Sequence, residues 1–136
     1  IVTQPMHPVP VELVDTYWPY VAPLLEPAVH YRSISEWNLG DLWRHCRKGD
    51  VFLFIDDLEA PKNCLTLEFM QNPTGQHALI RFLGGQGGEF DWPDGVQQVK
   101  EIARMNGCDR VLARVRPGLH KRIGGKPINT LCELGE

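Results

Sequence analysis

The stretch Leu83-Gly-Gly-Gln-Gly-Gly-Glu-Phe-Asp-Trp92 is a glycine-rich connection between a strand pattern and a helix pattern. The apolar run from Ala78 to Leu83 precedes it, and the most regular helical periodicity of the chain follows it and ends at Gly107. A glycine-rich turn ahead of a helix lets backbone N–H groups approach a phosphate at the positive end of the helix dipole. The stretch therefore predicts either a phosphate-binding loop or a flexible corner.

The composition is typical of a soluble globular protein. Of 136 residues, 43% are apolar and 23% are charged, and the formal net charge is −3. We expect residues 1–136 to form a single domain with residues 1–10 as a proline-rich lead. No apolar run approaches the roughly 20 residues of a membrane span, and no secretory signal pattern is visible. A cytoplasmic protein that does not contact a membrane is therefore expected.

The cysteines do not predict a metal site. No two of them form a C-x-x-C pair, and no pair of histidines has ligand spacing. His45 and Cys46 are neighbours in a predicted helix, where adjacent side chains point roughly 100° apart. We expect structural thiols in a reducing compartment and no metal.

One segment is strongly basic. Residues 110–126 contain six Lys or Arg residues and no Asp or Glu. Such a segment can meet phosphates or an acidic partner, but a solvated basic face is the favoured interpretation. Because no nucleic-acid-reading motif accompanies the charge, nucleic acid is not expected as a partner.

The remaining periodicity predicts alternating helices and strands. A strand at Val11–Val14 leads to a helix from Asp15 toward Tyr31, which Pro23 and Pro27 should split into two pieces. Asn38 and Gly49 bound a second helix at Leu39–Lys48. The other predicted elements are strands at 51–55, 64–70 and 76–83, the long helix from Asp91 or Trp92, a strand near 110–116, a helical turn at 119–123 and a final strand at 128–134. The order β-α-α-β-β-β-α-β-(α)-β predicts a mixed α/β (α+β) fold with a central, mostly antiparallel sheet and flanking helices.

This order resembles the GNAT acyltransferase superfamily over nearly the whole chain. Several phrases are similar to small GNAT-like proteins of tailed bacteriophages and prophages: 18–19 with 25–26, Lys48-Gly49-Asp50, Leu83-Gly84-Gly85, 106–111, 116–119 and 121–123. The resemblance implies an N-acetyltransferase fold, acetyl-CoA as donor and a primary amine as acceptor. It carries the fold better than the function.

The donor loop departs from the pattern of the superfamily. That pattern is Arg/Gln-x-x-Gly-x-Gly/Ala, whereas the nearest match here, Gln86-Gly87-Gly88, brings the glycines directly after the glutamine. If CoA binds, the resemblance assigns its contacts to Leu83, Gly85, Gln86, Gly87 and Gly88. The carboxylates that follow, Glu89, Asp91 and Asp94, should cap the helix amides and repel a diphosphate, which favours a corner.

The resemblance also implies two catalytic candidates. Glu68, on a central strand, could take the proton of the amine, although a surface or paired glutamate is the competing interpretation. Its alternation with Leu65, Leu67 and Phe69 places it on the opposite sheet face. The family often uses a Tyr as acid near the leaving thiolate, but no Tyr follows Tyr31. His120 is the titratable substitute, with a surface histidine as the competing interpretation.

These observations favour a non-catalytic phage-type GNAT protein, a virion or assembly component that binds other proteins of phage or host. The alternative is an acetyl-CoA-dependent N-acetyltransferase acting on an unspecified amine. The first predicts no cofactor and the second acetyl-CoA. Either role places the protein in the host cytoplasm or the virion.

Overall fold

In the part of the chain that the structure describes, one five-stranded sheet is flanked by three α-helices. The computed structural model describes residues 6–30, 37–85 and 92–114. In chain order the elements are β1 (His7–Pro8), α1 (Val14–His30), α2 (Leu39–Lys48), β2 (Phe52–Ile55), β3 (Asn63–Asn72), β4 (Gly75–Gly85), α3 (Trp92–Met105) and β5 (Arg110–Ala113). The strands lie in the order β1-β2-β3-β4-β5. Adjacent strands are antiparallel except β4 and β5, which are parallel. The predicted mixed α/β fold is confirmed.

The sheet separates two apolar cores. On one face α1 and α2 pack against residues such as Leu53, Cys64 and Phe82. On the other face α3 packs against Leu65, Leu67 and Ile80. The neighbours Leu67 and Phe69 belong to the α3 face, so the alternation along β3 places Glu68 on the α1–α2 face. The sequence predicted the opposite face but not the helices that cover it.

Helix α1 is continuous across three prolines, so the predicted split into two pieces is wrong. Pro19, Pro23 and Pro27 are spaced by four residues and all three are exposed. The carbonyls that lose an intrahelical donor lie on the same stripe, where water can hydrogen-bond to them. The opposite stripe buries Val21 and Leu25 completely, and this packing holds the helix together.

The chain enters α1 through a 3₁₀ turn at Val11–Leu13 rather than through the predicted strand. The Leu13 amide donates to the Pro10 carbonyl (2.9 Å), and Val14 already has helical backbone angles. A four-residue apolar run fits a strand or a helix start equally well. The first strand lies instead in the proline-rich lead, where His7 pairs with Ile55 at the edge of the sheet.

The boundaries of α2 and α3 follow the predicted capping residues. The Asn38 side chain accepts a hydrogen bond from the Asp41 amide (2.8 Å), and Gly49 ends α2 with a φ of 87°. Gly107 follows α3 with a φ of 85°. The predicted helical turn at 119–123 and strand at 128–134 lie outside the described residues, as does the corner at 86–91.

The two glycines that end β4 are sites of close packing. A Cβ at Gly84 would lie 2.1 Å from the backbone oxygen of Leu24 in α1, and a Cβ at Gly85 would lie 2.0 Å from Oδ1 of Asn63 in β3. These separations are far inside van der Waals contact. Packing therefore requires glycine at position 84, where the neighbouring atoms are backbone, whereas a side chain at position 85 would displace the Asn63 side chain.

We expect Gly84→Ala to destabilise the protein by about 2–3 kcal/mol, because the added methyl group forces α1 away from the sheet. The matched control is Gly107→Ala, where the backbone is strained but a Cβ meets nothing within 4 Å. Urea denaturation of both variants measures the difference. If Gly84→Ala costs no more than Gly107→Ala, the close approach of α1 to β4 is contradicted.

Candidate functional site

Strand β4 contains one extra residue in its pairing with β3. Leu65 lies opposite Leu83 and Leu67 lies opposite Ile80, so Thr66 alone faces both Arg81 and Phe82. This is a β-bulge, which bends a strand and redirects the groups that follow it. The Phe82 amide donates to the Thr66 hydroxyl (3.2 Å) inside the core.

The bulge lies where β4 loses its other neighbour. Strand β5 pairs with β4 from His77 to Ile80, and the last hydrogen bond runs from the Arg114 amide to the Ile80 carbonyl (3.0 Å). Within residues 6–30, 37–85 and 92–114, nothing pairs with β4 on this side from Arg81 to Gly85. We call residues 81–85 on this side the open edge of β4.

The bulge determines which backbone groups face the open edge. Before it, the Ile80 carbonyl points toward β5, and alternate residues point the same way. At the bulge two consecutive residues, Arg81 and Phe82, face β3, so the alternation shifts by one. The N–H and C=O groups of Leu83 and Gly85 consequently point to the open edge.

A polar cluster covers the α1–α2 face of the bulge. Arg81 donates from Nε to one oxygen of Glu68 (2.7 Å) and from Nη2 to the other (3.4 Å), and each side chain is only 12% exposed. The guanidinium also lies over the Trp37 ring, 5.3 Å from its centre. The Trp37 ring also packs against the rings of His45 and Phe82, with ring centres 4.9 Å and 6.2 Å apart. The cluster joins β3, β4 and the start of α2.

The structure places three of the predicted site residues around this bulge. Glu68 lies on its α1–α2 side, and Leu83 and Gly85 present their backbone to the open edge. The remaining predicted site residues, Gln86, Gly87, Gly88 and His120, lie outside the described residues. The structure thus brings together the candidate base and part of the candidate donor site.

Thr66, Arg81 and Trp37 belong to the site but were not predicted from the sequence. Thr66 and Arg81 interrupt apolar strands, and a polar residue in a buried strand needs a partner. That signal shows that a partner exists and does not identify it. The pairing of Arg81 with Glu68 depends on the register between β3 and β4.

The start of α3, which follows the open edge in the sequence, carries a negative charge. Trp92, the first residue of α3, is buried in the same core as Leu83. Asp94 is exposed in the first turn. A carboxylate there is stabilised by the helix dipole, and it competes with any anion for the same amides.

Asn63 is a buried polar residue at the end of the bulged region. It is 3% exposed, and its Nδ2 donates to Asp56 (3.0 Å), but among residues 6–30, 37–85 and 92–114 its Oδ1 has no hydrogen-bond partner. This oxygen occupies the space that a side chain at Gly85 would fill. Such an orphan acceptor is rare in a folded protein.

Two buried thiols lie behind the polar cluster. Burial, together with the negative charge of Glu68, raises the pKa of Cys46 from 9.0 to about 12. Burial also raises the pKa of Cys64 strongly. Both are inert as nucleophiles at neutral pH. Among the residues that the structure describes, no group of His, Cys, Asp and Glu could hold a metal ion.

Comparison with known proteins supports the GNAT-like architecture. No protein-family model matches the sequence, and no curated protein sequence matches it either. Solved structures do match: an aminoglycoside acetyltransferase from an uncultured soil metagenomic sample has a TM-score of 0.68 at 11% identity, covering 96% of this chain and 93% of that one. A ribosomal-protein-alanine N-acetyltransferase from Brucella melitensis has a TM-score of 0.67 at 5% identity, covering 96% and 98%.

A third neighbour is described as a GNAT family acetyltransferase, from Staphylococcus aureus, with a TM-score of 0.61 at 13% identity and coverage of 96% of both chains. At such identities the likeness shows the fold and leaves the activity to be argued from the site. The chain has a GNAT-like fold. None of the helices in the described parts of the chain is long and apolar enough to span a membrane.

We expect the stability of the protein to fall as the pH rises above about 9. The unfolded Cys46 thiol ionises near 9.0, whereas the folded one has a pKa of about 12. Between these values the folded state holds more protons, so the free energy of unfolding decreases with rising pH. Urea denaturation over this range measures the decline. In Cys46→Ala the decline should be shallower, and an equally steep one contradicts the assignment to Cys46.

Proposed function

We propose that the protein is an acetyl-CoA-dependent N-acetyltransferase. The observation that carries the proposal is the bulge at Arg81 and Phe82, which turns the backbone of Leu83 and Gly85 toward the open edge of β4. Unpaired backbone groups on a central strand are costly unless water or a ligand pairs with them. An open edge of this kind on an acetyltransferase-like fold supports the binding of an extended donor.

The open edge suits the amide-containing arm of an acyl-CoA. An extended chain that carries amide groups can add to a sheet edge by main-chain hydrogen bonds, as peptides do. Leu83 and Gly85 offer N–H donors and C=O acceptors at alternate positions, which is the spacing of a strand edge. When bound, acetyl-CoA supplies an activated acetyl thioester, and the protein contributes alignment of that group along β4.

Proton transfer requires a base for the amine and an acid for the leaving thiolate. Both carboxylate oxygens of Glu68 already accept hydrogen bonds from Arg81. To act as base for the amine, Glu68 would have to exchange one of these contacts for the acceptor. His120 is proposed as the acid near the leaving thiolate, because the sequence offers no Tyr after Tyr31.

The competing function is a non-catalytic component of a phage particle. The carboxylates Glu89, Asp91 and Asp94 favour it, as does the absence of any Tyr after Tyr31. Of these carboxylates, Asp94 is the one that the structure describes, and it is exposed in the first turn of α3. The acetyltransferase neighbours favour the enzyme, and a phage origin rests on the sequence resemblance alone.

Calorimetric titration with acetyl-CoA tests the proposal. We expect binding in the micromolar range, about −8 kcal/mol, followed by acetylation in a screen of primary amines.

Leu83→Pro should weaken binding by about tenfold or more, because it removes an N–H group that faces the open edge while leaving the β3 ladder intact. Leu83→Ala is the matched control, since it keeps the N–H group. Equal losses in both variants contradict backbone recognition, and no binding by the natural sequence supports the non-catalytic function.

We expect Asp94→Asn to strengthen acetyl-CoA binding. Removing one negative charge near the helix start relieves a repulsion of roughly 1 kcal/mol at surface dielectric, which corresponds to about fivefold in affinity. The gain should shrink at high salt. Glu101→Gln, an equal change of charge at an exposed position later in α3, should have little effect. An unchanged affinity in Asp94→Asn would show that this carboxylate does not face the donor.

A further inference from the structure

We infer that Thr66 and the Glu68–Arg81 ion pair are positioning residues that lock the bulge of β4 and thereby set the affinity for the acyl donor. The inference rests on the proposed function, because it concerns how the same open edge is held in shape. It assigns Glu68 a role through Arg81, in place of the role of base.

The first part of the lock is the Thr66 hydroxyl. In a regular pair of strands, each residue whose backbone faces the partner strand donates its amide hydrogen bond to a carbonyl of that strand. A bulge leaves one amide without such a carbonyl. Here the Phe82 amide donates to Thr66 Oγ1 (3.2 Å). Thr66 is fully buried, so no water can replace it. Without the hydroxyl the bulge would contain an unsatisfied amide inside the core.

The second part is the ion pair. Glu68 on β3 pairs with Leu79 on β4. Arg81 lies two residues after Leu79 on β4, at the first position of the bulge. The two hydrogen bonds between their side chains therefore tie the bulged residue to a fixed point on β3. Since both side chains are 12% exposed, they are weakly screened by solvent, and loss of one partner would leave the other charge poorly solvated.

The third part is the aromatic contact above the pair. The Trp37 ring lies against the Arg81 guanidinium at 5.3 Å and against the Phe82 ring at 6.2 Å. Both residues of the bulge thus contact the same indole. A guanidinium that is partly buried against an aromatic ring loses freedom to move, which holds the bulge toward α2.

The lock matters for the donor because the bulge sets the alternation of β4. A strand that loses its bulge shifts by one residue and turns every following group to the opposite side. Leu83 and Gly85 would then direct their amides to β3, and the open edge would lose the groups offered to the donor. A strand that fluctuates between the two arrangements binds in proportion to the population of the bulged one.

The experiment compares Thr66→Val with Thr66→Ser, and it adds the double variant Glu68→Leu/Arg81→Met. Valine copies the shape of threonine without the hydroxyl, whereas serine keeps the hydroxyl. The apolar pair replaces both charges together, a change that folded proteins often tolerate without loss of stability. Three quantities are measured: the Kd for acetyl-CoA, the kcat at saturating donor, and the hydrogen-exchange rate of the Phe82 amide.

We expect Thr66→Val and the double variant to weaken acetyl-CoA binding by about tenfold and to speed exchange of the Phe82 amide by a similar factor. In Thr66→Val the kcat at saturating donor should be retained, and Thr66→Ser should bind like the natural sequence. A general base would respond differently, because Glu68→Gln would then lower kcat by about a hundredfold or more without changing the Kd.

Three outcomes overturn the inference. The first is natural affinity in both Thr66→Val and the double variant. The second is the base-like response of Glu68→Gln. The third is an unchanged exchange rate of the Phe82 amide in both variants, which shows that the bulge does not depend on these residues. This measurement tests the inference even if the natural sequence binds no acetyl-CoA, a result that contradicts the proposed function by itself.

Discussion

The extra residue in β4 determines how the rest of the site is arranged. Because Thr66 faces both Arg81 and Phe82, the side chains of these two consecutive residues lie on the same sheet face, where regular alternation would separate them. Phe82 joins the core under α1 and α2, and Leu83 joins the core under α3. The same shift turns the backbone of Leu83 and Gly85 to the side that β5 no longer covers.

Close packing around the end of β4 holds this arrangement in place. Helix α1 approaches so closely at Leu24 that only a glycine fits at position 84, and Asn63 fills the side-chain space of Gly85. On the α3 side, Gln98 exchanges two hydrogen bonds with the Met6 backbone, at 2.9 and 2.7 Å, and so ties α3 to the chain at β1. Helix α1 therefore restrains the end of β4 directly, whereas Gln98 fixes α3 beside β1, at the opposite edge of the sheet.

The negative charge at the start of α3 disfavours the diphosphate that an acyl-CoA donor carries. An acyl-CoA donor carries a diphosphate, which favours free amides and positive charge at a helix start, yet Asp94 lies in the first turn of α3. The Glu68–Arg81 pair carries no net charge that could offset it. Binding of a donor would then depend more on main-chain hydrogen bonds along β4 than on charge, which distinguishes this site from a phosphate cradle.

Local patterns in the sequence determined the element boundaries that depend on a few neighbouring residues. Asn38 and Gly49 bound α2, and Gly107 ends α3. The alternation of β3 places Glu68 on the sheet face opposite to that of Leu67. Caps, left-handed glycines and strand alternation all act within a few residues, so the sequence alone predicts them. Tertiary packing alone decided the rest. The prolines of α1 are tolerated because they share the exposed stripe, Val11–Leu13 turn instead of extending, and the bulge and the Glu68–Arg81 pair follow from the register between two strands. No local pattern specifies that register, since it depends on which side chains fill the two cores together.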